Sequence, residues 1–275
     1  MTHPILTDPT ALLHRRARAT ADGLFLHALV AEDLQDRISF VNRSFKDAVL
    51  VTPFPEHWQE LAAGFATPPR IVQAAEVLDI APGSADLVMH VFDMHWSNDL
   101  VGQLIQCRRS LRPDGLFLGV LFGGNTLTEL RISLAEAEVE ITGGLSPRVA
   151  PMGEVRDLGG LLQRAGLALP VADSDALSIS FSSPLKLLHD LRAMGESNAL
   201  NDRLRKPTRR AVLLRAMELY QQNYGDADGR VTATFELITL TGWAPDDSQQ
   251  KPLRPGSAMS SLAAALGTDE NPLKP

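Results

Sequence analysis

One stretch, residues 84–124, combines two buried-strand patterns with one amphipathic helix pattern between them. Residues 86–91 and 116–122 are short, mostly apolar runs, as expected for strands that are covered on both faces. Between them, apolar residues recur at helical spacing after Asn98 and Asp99, either of which can cap the helix. Two strands joined by one helix form a βαβ unit, which requires a parallel sheet. The stretch therefore predicts an α/β fold.

Weaker patterns place the remaining elements. Residues 113–115 (PDG) have turn composition and are predicted to end the helix, and Asn125 is predicted to cap a later one. Strands are expected at 48–51, 71–74, 169–172, 177–181 and 231–240. Helices are expected at about 14–41, with a break near 22–23 as the alternative, and at 58–65, 126–140, 154–165, 184–193 and 208–220.

The domain organisation follows from these elements. Residues 1–12 are predicted to be frayed, and 1–45 as a whole form a helical lid over the sheet. The main domain is expected at 46–243, with a helical insertion at about 184–225. Residues 244–275, rich in Asp, Ser, Gln, Gly and Pro, are predicted to be a partly disordered tail.

Composition excludes several classes of function. A formal charge of −7 argues against general nucleic-acid binding. A single cysteine, Cys107, allows no internal disulfide and is predicted to be a buried, unreactive thiol. No apolar run is long enough to span a bilayer, and no apolar signal core is found near the N-terminus. The expected location is the cytoplasm.

Four motifs together carry a family resemblance: MHWSNDL at 94–100, RPDG at 112–115, FGGNTL followed by ELR at 122–131, and MGESN at 194–198. The chain resembles the class I S-adenosylmethionine (SAM)-dependent methyltransferases, in particular the methyltransferase-like complex I assembly factor branch. A mitochondrial member of that branch is described as a protein-arginine hydroxylase. The resemblance implies a Rossmann-like sheet, SAM as cofactor and a respiratory complex I subunit as partner. The biotin-pathway malonyl-carrier-protein methyltransferase is a more distant relative, similar mainly at His95 and Trp96.

The sequence departs from this family at the turn after the first strand. Methyltransferases need a glycine-rich turn there, because the backbone bends tightly and approaches the cofactor closely. This chain has TPFPEHW at 52–58, with two prolines and no glycine. The short spacing from Val51 to Asp86 also leaves room for only one further strand, so one strand and its helix, with the acid that binds the ribose, are predicted to be absent. Both changes predict weakened SAM binding.

The family resemblance implies which residues would contact a cofactor. These are Thr52, Phe54, Glu76, Phe92 and Trp96, all at or near strand ends. Open α/β sheets bind ligands at the carboxyl ends of their strands. A half-buried structural tryptophan and an exposed loop glutamate are the alternative interpretations of Trp96 and Glu76.

A second group is predicted to contact a substrate or partner. Its members lie in the family motifs: His95, Asn125, Glu129, Arg131, Glu196 and Ser197. Helix capping and surface ion pairing explain most of them almost as well. The basic run at 203–215 is expected to be a solvated helix face, with contact to an acidic partner as the alternative.

Two histidines and one carboxylate, His90, Asp93 and His95, could in principle form a non-haem iron site. Side chains alternate along a strand, so His90 and Asp93 are expected on opposite faces, and no metal site is predicted. No residue is assigned a catalytic role. The favoured function is a non-catalytic assembly or binding protein on a methyltransferase scaffold. An active SAM-dependent methyltransferase, including the malonyl-carrier-protein type, and a protein-arginine hydroxylase are the alternatives.

Overall fold

The computed structural model describes residues 5–250 and 267–268. The chain divides into two units, Met1–Pro245 and Asp246–Pro275, and the first contains every helix and strand of the described residues. In the second unit, the Asp246 carboxylate accepts hydrogen bonds from the Ser248 backbone N–H (2.9 Å) and hydroxyl (2.6 Å). Most of the predicted tail lies outside the described residues.

Within the described residues the first unit contains six strands, eight α-helices and two short 3₁₀ turns. The strands are β1 (Ala48–Thr52), β2 (Arg70–Gln73), β3 (Ala85–Val91), β4 (Leu111–Phe122), β5 (Ala168–Phe181) and β6 (Val231–Trp243). The helices are α1 (Pro9–Arg16), α2 (Phe25–Ser39), α3 (Pro55–Ala62), α4 (Leu100–Ser110), α5 (Thr128–Thr142), α6 (Val155–Arg164), α7 (Pro184–Ala193) and α8 (Arg210–Tyr224). The 3₁₀ turns are Ala21–Leu24 and Met94–Trp96.

The six strands form one sheet in the order β2-β1-β3-β4-β6-β5. β2, β1, β3 and β4 pair in parallel, whereas β6 is antiparallel to both of its neighbours. This confirms the predicted methyltransferase-like α/β sheet. Between β1 and β3 the chain forms only α3 and β2, as the short spacing predicted.

Helices cover both faces of the sheet, so alternate residues of the central strands enter two separate cores. Leu50 packs in one core, while its neighbours Val49 and Val51 pack in the other. Every residue of β1 and β3 is buried. The continuous apolar runs of the sequence therefore correspond to strands that have no solvent face. None of the described helices is long and apolar enough to cross a membrane.

The predicted turn at 113–115 is wrong as a separate element. β4 begins at Leu111, immediately after α4. Leu111 pairs with Ala85 and Leu116 with Leu87, so five steps along β4 match two along β3 and three extra residues form a bulge. Asp114, with φ of 59°, lies in this bulge. These residues do have turn composition, but they form a bulge within β4 and not a separate turn.

Two strands predicted at 169–172 and 177–181 are one strand, β5, which pairs with β6 continuously from Val171 to Phe181. β5 is at the edge of the sheet, where polar side chains can remain solvated, so the polar residues between the two predicted strands do not interrupt it.

Residues 9–12 were predicted to be frayed and are helical. The Asp8 side chain caps α1 by accepting from the Ala11 N–H (3.0 Å), and the Asp8 N–H donates to the Ala199 carbonyl. Pro9 occupies the first helical position, where no N–H is needed. A distant segment thus holds the N-terminal helix in place.

Candidate functional site

The chain order of the sheet changes direction between β1 and β3, because β2 lies on one side of β1 and β3 on the other. In open α/β sheets the crevice at such a point, beyond the carboxyl ends of the strands, is the usual ligand site. Thr52 ends β1, and Phe92 and Asp93 follow β3. Three of the predicted site residues, Thr52, Phe54 and Phe92, therefore lie at the expected edge of the sheet.

Aromatic rings fill this crevice. The imidazole of His27, from α2, lies 5.5 Å from the ring of Phe54, 5.9 Å from that of Trp58 and 4.8 Å from that of Phe92. The Trp58 indole N–H donates to His27 Nδ1 at 2.8 Å, which makes that nitrogen the acceptor of a neutral imidazole. Trp58, Phe92 and His27 are all buried. A small void lined in part by His27 and Phe92 measures about 10 Å³.

An ion pair closes the same edge from the N-terminal side. Arg16 Nη1, at the end of α1, donates to Asp93 Oδ1 at 2.5 Å, and both side chains are close to nine-tenths buried. Burial tends to raise the pKa of the Asp93 carboxyl, but the Arg16 and His90 side chains outweigh it and hold the pKa below its usual range. Asp93 is therefore ionised and satisfied by Arg16.

Two glycines allow the end of α7 to approach this segment. Gly195 has a φ of +77°, and a Cβ there would lie 3.1 Å from Arg16 Cα and 3.2 Å from Phe54 Cζ. A Cβ on Gly23 would lie 2.4 Å from the carbonyl carbon of Ala193. Larger residues at either glycine would push the N-terminal helices away from the edge of the sheet.

The buried His27 makes stability depend on pH. Burial, and then the nearby His57 and Arg16, lower its pKa from 6.5 to about 3. Below about pH 6.5 the unfolded chain binds a proton at this histidine and the folded chain does not. The free energy of unfolding is therefore expected to fall between pH 6.5 and 3, by up to about 1.4 kcal/mol per pH unit from this group.

Urea unfolding at a series of pH values from 7 downwards measures this slope. His27→Gln should reduce the slope of the free energy of unfolding against pH. Part of the slope will remain, because burial also lowers the pKa values of His57 and His90. His14→Gln, at an exposed position, is the control and should keep the native slope. Identical slopes for the native protein and His27→Gln would contradict the prediction.

Next to the aromatic cluster, three predicted residues form a hydrogen-bonded group. Glu196 Oε2 accepts from the Trp96 indole N–H at 2.6 Å and lies 3.1 Å from His95 Nε2. His95 Nδ1 is buried and has no partner in the described part of the chain. If the neutral ring carries its proton on Nε2, that nitrogen donates to Glu196 and the unpaired Nδ1 is only an acceptor. His95 is therefore assigned as a donor to Glu196. Residues a hundred positions apart are thus joined.

The Glu196 carboxyl remains ionised although it is buried. Burial tends to raise its pKa, but His95, the nearby Arg16 guanidinium and the Trp96 N–H together lower it below the usual range. Both hydrogen-bonded contacts of its carboxylate involve Oε2, so Oε1 has no hydrogen-bond partner among the described residues. Ser197 follows it on the wall of the neighbouring cavity.

That cavity is larger than the void beside His27 and Phe92 and has a volume of about 230 Å³. Most of its wall is apolar and comes from α5, the 148–152 loop, α7 and β6; examples are Leu130, Leu134, Met152, Leu188, Leu191 and Phe235. Trp96, Glu196 and Ser197 contribute to the wall as well. Most of the apolar lining was not predicted as a site, because a helix face that lines a cavity has the same periodicity as one that packs in a core.

The candidates after β4 have structural partners. α5 begins at Thr128, after Leu127 with a φ of 56°, so the prediction that the Asn125 side chain caps it is wrong. The Glu129 carboxylate accepts from the Thr234 N–H at 3.2 Å and from its hydroxyl, which attaches α5 to β6. Arg131 donates to two carbonyls of the loop before α5.

The hydrogen bonds of two further candidates, Thr52 and Glu76, are structural. Thr52 Oγ1 accepts from the Phe54 N–H at 3.3 Å. Glu76 has an exposed side chain, and its carbonyl accepts from the side chains of two residues of α4. Burial raises the pKa of the Cys107 thiol to about 12, which agrees with its prediction as an unreactive thiol.

Two of the three residues of the facial-triad alternative have other partners. Asp93 binds Arg16, and His95 binds Glu196. His90 is fully buried, and neither of its ring nitrogens has a partner within the described residues. No group of three or more metal-ligating side chains occurs in the part of the chain that the structure describes.

Comparisons with known proteins agree with this architecture. Over 188 residues the chain is 43% identical to the protein named arginine-hydroxylase NDUFAF5, mitochondrial, of Danio rerio, covering 68% of this chain and 58% of that one. The human protein of the same name is 40% identical over 200 residues, covering 73% and 57%. A malonyl-[acyl-carrier protein] O-methyltransferase of Xylella fastidiosa is 31% identical over 171 residues, covering 62% and 56%. The chain thus spans somewhat more than half of each relative.

Among solved structures, a complex of Haemonchus contortus phosphoethanolamine N-methyltransferase 2 with S-adenosyl-L-methionine has a TM-score of 0.44 and 12% identity, covering 78% of this chain and 52% of that one. This similarity is too low to support an argument. No family model matches the chain.

The sheet order and the sequence similarity to a methyltransferase together indicate a methyltransferase-like α/β fold. The chain is similar to the proteins named arginine-hydroxylase NDUFAF5 over about two thirds of its own length.

Proposed function

We infer that the chain is a non-catalytic assembly or binding protein on a methyltransferase scaffold, without a working SAM site between β1 and β3. The aromatic packing at this edge carries the proposal. The imidazole of His27 lies 4.8–5.9 Å from the rings of Phe54, Trp58 and Phe92, so side chains occupy the crevice in which a ligand pocket of about 300–1,000 Å³ would lie. The residues at this edge do not fit the cofactor that the family implies.

The groups that fill the edge are held firmly. Trp58 and His27 are joined by a buried hydrogen bond, and Arg16 and Asp93 by a buried ion pair. Opening the crevice would break both interactions and expose Phe92. SAM binding would also lack the close backbone donors that a glycine-rich turn supplies, because residues 52–58 contain no glycine. These costs support a scaffold that has lost the cofactor.

The names of the relatives suggest the partner. Proteins named NDUFAF5 are similar to this chain over two thirds of its length, and the motifs resemble a complex I assembly factor family. The proposed partner is therefore a subunit of respiratory complex I, bound without chemistry. The relatives' names also favour a second candidate, hydroxylation of a protein arginine. The predicted cytoplasmic location stays a prediction, and the relatives named here as NDUFAF5 are described as mitochondrial.

Calorimetric titration with SAM and with S-adenosylhomocysteine tests the proposal. No binding is expected up to millimolar ligand, while an active class I methyltransferase titrated in the same buffer serves as the positive control. A micromolar dissociation constant would overturn the proposal and return the chain to the active methyltransferases. Purified complex I subunits are then tested for binding, and for an added oxygen on arginine by mass spectrometry. An added oxygen that requires this protein would establish the hydroxylase instead.

A further inference from the structure

We propose that the 230 Å³ cavity beside Glu196 binds a small apolar ammonium compound, such as an arylalkylamine, through one contact to Glu196 Oε1. The inference is separate from the loss of the cofactor site, since it concerns the cavity between β4, α5, α7 and α8.

The size and lining of the cavity define the body of the ligand. An engineered apolar cavity of about 150 Å³ holds a benzene molecule, so 230 Å³ accommodates one aromatic ring with a short alkyl arm. Leucine side chains of α5, α7 and α8, with Phe122 and Phe235, supply an apolar wall. Such a wall favours a hydrocarbon body and excludes one that is polar throughout.

Glu196 defines the head group. Its Oε2 already accepts from Trp96 and faces His95, while Oε1 has no protein partner within the described residues. An ionised carboxylate oxygen in an apolar wall favours a charged N–H donor.

The other charged groups near the cavity are already compensated. The Arg148 guanidinium donates two hydrogen bonds to the buried Glu138 carboxylate and one to the Thr208 hydroxyl. Arg16 is paired with Asp93. Glu196 is therefore the lining carboxylate with an open acceptor, and Arg148, the cation in the described lining, is already compensated.

The single open oxygen discriminates between cations. A guanidinium binds best as a fork to two carboxylate oxygens. At Glu196 one of the two is already occupied by the indole and imidazole donors, so only a one-point contact remains. An ammonium is a compact point charge that suits a one-point contact.

The probes are 2-phenylethylamine, 2-phenylethanol and 2-phenylethylguanidine, titrated into the full chain and followed by calorimetry and by NMR shifts. The amine is expected to bind about tenfold more tightly than the alcohol, because a charge-assisted bond adds to the same apolar contact. The guanidine is expected to bind more weakly than the amine. Equal affinity of amine and alcohol, tighter binding of the guanidine, or no binding of the amine at millimolar concentration would each overturn the proposal.

Variants locate the contact. Glu196→Gln should lower the affinity for the amine to that for the alcohol, while Glu136→Gln, at an exposed position of α5, removes the same charge and should change neither. Leu188→Trp narrows the cavity without touching Glu196 and should weaken binding of both probes at least about tenfold. An amine affinity unchanged in Glu196→Gln or in Leu188→Trp would refute the site. If Glu196→Gln does not fold, the titrations of the three probes into the native protein and into Leu188→Trp still test whether the cavity is the binding site.

Discussion

Trp58→Ala is expected to lower the free energy of unfolding by about 3–5 kcal/mol, the usual cost of deleting a fully buried large aromatic side chain. The indole is completely buried and packs in the same core as Leu50 and Phe92. It is also the hydrogen-bond donor to His27 Nδ1. The substitution therefore leaves a cavity and an unpaired buried acceptor. Urea unfolding followed by circular dichroism measures the change.

Trp58→Phe separates the two contributions. It keeps a large ring but removes the N–H, so the buried nitrogen of His27 loses its donor, at a cost of about 1–3 kcal/mol. Gln59→Ala, exposed on the same helix, is the matched control and should change stability by no more than about 0.5 kcal/mol. If Trp58→Ala cost no more than this control, the aromatic cluster would not hold the edge of the sheet together.

The second large effect is expected at the Arg16–Asp93 ion pair. Arg16→Ala removes one partner and leaves a buried carboxylate without compensation, so we expect a loss of about 3–5 kcal/mol at neutral pH. At pH values above the usual carboxyl pKa the Arg16–Asp93 contact stabilises the folded protein. This stabilisation is lost as the pH falls through the lowered pKa of Asp93. Urea unfolding of the native protein and the variant at neutral pH gives the difference.

A double-mutant cycle identifies the pair as the cause. Arg16→Ala combined with Asp93→Ala should cost clearly less than the sum of the two single variants, because the second substitution removes the stranded charge. Arg112→Ala breaks the exposed Arg112–Asp47 pair and should cost no more than about 1 kcal/mol. Additive losses in the cycle, or a loss at Arg16 no larger than at Arg112, would contradict the interpretation.

The sequence predicted the centre of the sheet well because its signals are local. β3 and the buried part of β4 are apolar runs, and α4 has helical spacing with the predicted Asp99 cap, whose carboxylate accepts from the Gly102 N–H at 2.8 Å. The predictions that were wrong depended on a neighbour. The polar middle of β5 forms a strand only because β6 pairs along its full length.

Local motifs selected the candidate residues, but their contacts depend on segments far away in the chain. The structure brings His95, Trp96 and Glu196 together, whereas the sequence assigned Trp96 to a cofactor and the other two to a substrate or partner. Asn125, Glu129 and Arg131 have structural hydrogen bonds instead, because α5 is attached to β6 at this point. His27 and Arg16 were missed, because the sequence predicts a helical lid at 1–45 but does not show which of its side chains reach the distant strand ends.

What the sequence by itself determined is the α/β class, the order of the main elements and the absence of a glycine-rich turn after β1. Local periodicity and residue chemistry encode these features, and no tertiary contact is needed to detect them. Only the tertiary structure decided that His27, Trp58 and Phe92 fill the crevice, and that Glu196 lies beside a cavity with one oxygen free. Both results depend on side chains that are far apart in the chain and whose contacts are set by packing.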